Sequence, residues 1–260
     1  MLFKKKRLLA DHEAAWIAAQ FAWFADQLSE SGWSRRELVL PTSDFFSVPK
    51  GSDHGTACAV FEQVKSHMGL GDDWPCRLEA QEPAHVPHAV ADAVMVQTDE
   101  TPINGTFRMT ETGALITYDP ALMTAPKAYI TTVAHELAHY VILSCPAQAE
   151  WEEQPMLEEM VTDPFVIAAG FGIFKLESIS QSTAFQSPLA QGWSVSHAGY
   201  ISREFAAMAM AIFLRTNNID PGCVTQHVSR HSEKLLKRAL QQLEADSNLL
   251  EIAKGNVHPS

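Results

Sequence analysis

Two histidines four residues apart, with a glutamate directly after the first, stand at His135-Glu136-Leu137-Ala138-His139. On a helix, positions i and i+4 lie one turn apart on a single face, so both imidazoles can reach one tetrahedral cation. Glu136 flanks that face and can take a proton from a metal-activated water. A catalytic zinc also needs a third protein ligand and an open fourth position. Glu159 follows within Leu157-Glu158-Glu159-Met160-Val161-Thr162-Asp163. If that stretch is helical, Asp163 lies one turn beyond Glu159 on the same face, where it can accept the second N–H of a zinc-bound histidine.

With 11 histidines in 260 residues, an accidental HExxH arises in roughly three per cent of such chains, so the motif alone could be a surface helix with a histidine pair. His227 and His231 repeat the spacing without a glutamate and read as the polar side of an amphipathic helix. The downstream carboxylate is what sets the first pair apart. Glu158 and Glu159 diverge by about 100° on a helix, so only one of them faces His135 and His139. Choosing Glu159 aligns Asp163 with it; choosing Glu158 aligns Thr162, which is no anionic partner for an imidazole. Glu158 is therefore expected to play no part at the metal and to join Glu150, Glu152 and Glu153 on a solvated acidic face. Pro164 directly follows Asp163, so the helix either kinks there or ends and a new one starts.

HExxH, nineteen residues, then E-x-x-T-D resembles the gluzincin, or thermolysin-like, metallopeptidases over about Ile130 to Asp163. The resemblance implies zinc on His135, His139 and Glu159, Glu136 as general base, and Asp163 orienting His135. It also implies an oxyanion donor, a His or Tyr, from outside the motif. His197 and Tyr200 are the candidates, against the alternative that one is an exposed loop residue and the other a packed helix-entry residue. Longer stretches, TDPFVIAAGFGIF and the segment around Gly199-Tyr200-Ile201-Ser202, resemble uncharacterised bacterial HExxH proteins, a likeness that supplies no substrate.

The elements that must hold these residues can be read from periodicity. Trp16, Ile17, Phe21, Phe24 and Leu28 are spaced as one helix, from about Glu13 to Leu28, and Thr56 to Met68 as a second, with His54 in the loop before it. The segment from Asp72 to Pro102 is proline-rich, with short β-type pieces such as Ala93 to Gln97, and His85 and His88 fall in it as loop residues. Gly105 to Tyr118 reads as a hairpin turning near Glu111-Thr112-Gly113. Its second strand, Leu115 to Tyr118, is either an edge for an extended peptide or part of an ordinary core hairpin. Helices follow from near Thr124, with Pro126 in the first turn, to Leu143; from Pro155 towards Gly170; from Ser202 as N-cap; and from about Val224 to Ala253. The expectation is an α+β, gluzincin-like fold: an N-terminal α+β part with the hairpin (1–120) and a helical part with the metal site (121–260), together one compact unit.

The formal charge of −12, from 19 basic and 31 acidic side chains, argues against a nucleic-acid-binding face. The apolar runs are too short for a membrane span. Four scattered cysteines without a CxxC pair suit a cytoplasmic protein with free thiols. There is no GxSxG, no Walker loop and no GxGxxG. The expected activity is a zinc-dependent metallohydrolase, a peptidase acting on a peptide or protein by attack of zinc-activated water on an amide. The rival is a non-catalytic, zinc-stabilised regulatory or interaction module. Three protein ligands with a water favour the enzyme, and four protein ligands favour the scaffold.

Overall fold

The computed structural model describes residues 7–29, 36–47, 51–82, 105–145, 155–182 and 201–257. In chain order the elements are α1 (Asp11–Gln27), α2 (His54–Met68), β1 (Cys76–Ala80), β2 (Gly105–Thr110), β3 (Gly113–Tyr118), α3 (Pro126–Leu143), α4 (Pro155–Val166), α5 (Gly172–Ser182), α6 (Arg203–Thr216), α7 (Gly222–Thr225), α8 (Arg230–Ala245) and α9 (Asn248–Ala253). The class is mixed α+β. The expected strand Ala93–Gln97, with His85 and His88, lies outside the described residues.

Helix α3 is the centre of the arrangement. Pro126 opens it at its first positions, where a missing N–H costs nothing. Tyr129, Ile130, Val133, Ala134, Leu137, Ala138, Val141 and Ile142 are all buried, a distribution around the whole helix that only an interior helix tolerates. It packs against β2 and β3, against α2, and against α4 and α5. Glu136 and His139, polar residues that it carries, are thereby held inside the molecule.

The sheet is three-stranded in the order β1-β3-β2. β1 runs parallel to β3, pairing Cys76 with Ala114 and Ala80 with Tyr118. β2 runs antiparallel, pairing Gly105 with Tyr118 and Thr110 with Gly113. The strand Leu115–Tyr118 is therefore central, with both sides of its backbone paired, and cannot be the edge that receives a peptide. The edge beside α3 is β2.

Helix α4 runs through Pro164 to Val166, so Asp163 is still helical. The break comes later, as a wide π-type turn at Ile167–Phe171 in which Gly170 takes φ 102°. A β-carbon there would collide with the Glu37 carbonyl, and the Gly170 carbonyl accepts a hydrogen bond from Val39 N–H at 3.0 Å. Ser202 caps α6, its hydroxyl accepting from Phe205 N–H at 3.1 Å. The helix expected over Val224–Ala253 is three helices instead. Ser229 captures the amide of Ser232 and starts α8 afresh, a local side-chain bond that competes with helix continuation. His227 consequently falls between α7 and α8 and His231 inside α8, so the second histidine pair does not share a helical face.

Buried apolar residues of α1, α2, α3, α4, α6 and α8 form one continuous cluster, and α1 packs among α4, α6 and α9. None of the helices among the described residues is long and apolar enough to cross a membrane.

Candidate metal centre

Helices α3 and α4 pack together and bring their polar residues face to face. His135 and His139, one turn apart on α3, present their Nε2 atoms 3.1 Å from each other. From α4, Glu159 places Oε2 3.1 Å from His135 Nε2 and Oε1 3.5 Å from His139 Nε2. Metal–ligand bonds of about 2.0–2.1 Å at a tetrahedral zinc would space the donor atoms about 3.3–3.4 Å apart, so the three groups fit such an ion with little movement. Glu159 Oε2 is buried yet makes no hydrogen bond of normal geometry, an orphaned acceptor of the kind a cation satisfies. Among the described residues this is the one cluster of His, Cys, Asp or Glu groups that could hold a metal.

The outer nitrogen of each imidazole meets its own carboxylate. His135 Nδ1 lies 3.1 Å from Asp163 Oδ1, at contact distance though not aligned as a hydrogen bond. His139 Nδ1 donates to Glu158 Oε1 at 2.8 Å. A carboxylate at Nδ1 favours the proton there and leaves the Nε2 lone pair for a metal; the bond to Glu158 sets this tautomer at His139, and the charge of Asp163 favours it at His135. Glu158, though partly exposed, is thus tied to the site instead of standing free on a solvated face. Its backbone direction differs from that of Glu159, but an imidazole offers two nitrogens on different edges, and the two carboxylates reach one each. Glu150, Glu152 and Glu153 lie outside the described residues.

Glu136 is 8% exposed and looks across to β2. A β-carbon on Gly105 would stand 2.6 Å from Thr132 Cγ2 and 3.2 Å from Glu136 Cγ, so only glycine lets the edge strand come this close to the helix. Two residues along the same face of β2, Phe107 stacks near-parallel on His139 at 6.3 Å between centroids and on Tyr140 at 5.9 Å. The strand therefore forms a wall beside the histidines.

Burial and pairing pull the ionisable groups in opposite directions. Burial alone would lower the pKa of His135, but Asp163 and Glu159 outweigh it and raise it. For His139 burial again opposes, and Glu158 and Glu159 again win. Burial would raise Glu159, yet the close approach of His135 and His139 holds it well below the usual carboxylate range. Glu136 is raised by burial, with the two histidines offsetting only part. Asp163, which burial would raise, is held down chiefly by Lys175 and then by His135.

Of the residues expected at the site, the structure brings His135, His139, Glu159 and Asp163 into contact, and it sets Glu136 near enough for the charges of both histidines to act on it. His197 and Tyr200 lie outside the described residues. His54 opens α2 instead of lying in a loop, bonds Tyr118 OH through Nδ1 at 3.1 Å, and has no part in the cluster. Glu158, Lys175, Gly105 and Phe107 join the site without having been expected there from the sequence. Of these only Lys175 carried a signal: one lysine at the end of the apolar run Phe165 to Phe174 is badly placed unless it has a buried partner. Comparison of the chain with protein-family models, with curated proteins and with solved structures finds no match.

Proposed function

We propose that the protein is a zinc-dependent metallohydrolase that cleaves an amide bond of a peptide, with His135, His139 and Glu159 as its metal ligands. The observation that carries the reading is the set of three donors at tetrahedral spacing with the buried carboxylate Glu136 beside them. Zinc bound there would supply a Lewis acid that acidifies a water molecule and polarises the scissile carbonyl. Three protein ligands leave room for that chemistry; a purely structural site fills the fourth position and has no need of a base.

The chain's own residues account for the remaining steps. Glu136 is placed on the ligand helix to take the proton of the attacking water and to return it to the leaving amine. Its pKa, raised by burial, suits a group that must both accept and give a proton. Glu158 and Asp163 hold the imidazoles in register. The outer edge of β2, which has no strand partner among the described residues, would pair with an extended peptide and lay it past Gly105 and Phe107. His197 or Tyr200 is proposed as the donor to the oxyanion. The motif and spacing make a gluzincin-like catalytic unit the preferred assignment.

The test is hydrolysis of a diverse peptide mixture read by mass spectrometry, with zinc-loaded protein, chelator-treated protein and Glu136→Gln in parallel. Cleavage by the first alone supports the reading. A zinc-loaded protein that cleaves nothing, or cleavage that survives in Glu136→Gln, overturns it and favours the non-catalytic module.

A further inference from the structure

Lys175 is 3% exposed and Asp163 fully buried, and the two form an ion pair between α5 and α4. Among the described residues Asp163 is the only ion-pair partner Lys175 has. The oxygen it approaches is Asp163 Oδ1, the same atom that stands 3.1 Å from His135 Nδ1. The ammonium, one carboxylate oxygen and the imidazole thus form a single line leading from α5, through α4, to a proposed metal ligand on α3.

We propose that Lys175 is a positioning residue of the metal centre, its ammonium holding Asp163 Oδ1 against His135 Nδ1 so that His135 keeps Nε2 aimed at the cation. The inference rests on the metal reading above. A carboxylate with no access to water is strongly disfavoured unless a cation compensates it, and the His135 imidazole beside it is a poor substitute once it serves a metal. Glu158, the corresponding group at His139, is 24% exposed and has water for that purpose. Asp163 has none, which explains why only one of the two carboxylates is backed by a lysine. The π-type turn at Ile167–Phe171 brings Lys175 back onto Asp163 across the end of α4.

Three roles for Lys175 differ in the sign of their effect on zinc affinity. As a positioning group acting through Asp163, its loss weakens zinc binding. As a bare positive charge near the site, its loss tightens binding by removing repulsion. As a tie between two helices, its loss lowers fold stability and leaves the affinity of the folded protein unchanged.

The experiment is a zinc dissociation constant, by competition with a chromophoric chelator, for the parent, Lys175→Met, Asp163→Asn and the double variant. Circular dichroism checks that each is folded, and the cobalt-loaded forms are compared by visible absorption. The expected result is a loss of about tenfold to a hundredfold for Lys175→Met and for Asp163→Asn. The double variant should match Asp163→Asn, and the single variants should share an altered cobalt spectrum. If Lys175→Met does not fold, Asp163→Asn and the double variant still decide, because the double variant leaves no buried charge unpaired and the lysine left alone in Asp163→Asn can shed its proton. Equal affinities support action through Asp163, and a tighter double variant overturns it. Unchanged affinity in a folded Lys175→Met also overturns it. A parent that binds no zinc brings down the metal reading and this inference together, whereas a zinc-binding parent with flat variants brings down this inference alone.

Discussion

Glu158 Oε1 stands 2.8 Å from His139 Nδ1. Helical geometry separates adjacent residues by about 100°, and that argument assigned Glu159 to the metal and left Glu158 in solvent. The structure shows both carboxylates on the same imidazole, one at each nitrogen. Glu158→Ala should therefore weaken zinc binding about tenfold to a hundredfold, where the sequence argument expects parent affinity. Chelator competition on the purified variant measures it, and parent-like affinity would show that this bond has no bearing on the metal.

Glu136 faces Gly105 of the edge strand and is not one of the three donors that could hold the metal. Glu136→Gln should keep its zinc and lose about two to four orders of magnitude in turnover, the usual scale for a lost general base. Metal analysis and turnover on the same sample separate the two effects. Loss of zinc in this variant would make Glu136 a ligand and would contradict the role given to it.

Gly105 is where β2 can approach α3. Gly105→Ala places a methyl group 2.6 Å from Thr132 Cγ2 and 3.1 Å from Thr117 O, so strand or helix must shift. The expected cost is about 1–3 kcal/mol of stability, typical of overpacking, with reduced turnover because Glu136 moves with the helix. Urea unfolding of the zinc-free protein reads the first quantity. An unchanged midpoint would mean that strand and helix are farther apart than described.

Protons compete with the metal for the same histidines. Both pKa values are raised, in spite of burial, by the carboxylates around them. A histidine raised on folding stabilises the metal-free fold fully below its unfolded pKa, about 6.5, and that contribution fades as pH climbs through the folded value. Zinc needs the unprotonated rings, so its affinity should grow over the same range. The zinc-induced rise in melting temperature should accordingly be larger at pH 8 than at pH 6. A rise that shrinks over this interval would place the bound metal on groups other than these histidines.

The parts of the site legible in the sequence are those governed by local periodicity. The i, i+4 spacing of His135 and His139, and of Glu159 and Asp163, survives because both pairs lie in uninterrupted helix, Pro164 notwithstanding. The hairpin Gly105–Tyr118 was legible for the same reason, its turn and its strands being local features. Strand β1 was not, because Cys76–Ala80 becomes a strand only by pairing with β3, far away in sequence. Order within the sheet depends on that distant pairing too, which is why Leu115–Tyr118 could be taken for an edge. Lys175 and Phe107 reach the site through tertiary packing, and no spacing within a single element encodes them.

Metal analysis of the purified, dialysed protein beside its Glu159→Ala variant tests the central claim most directly. About one zinc per chain is expected in the parent and essentially none in the variant, since one of three protein ligands is removed. A parent without zinc, or a Glu159→Ala protein that retains it, would contradict the assignment of His135, His139 and Glu159 as a metal centre.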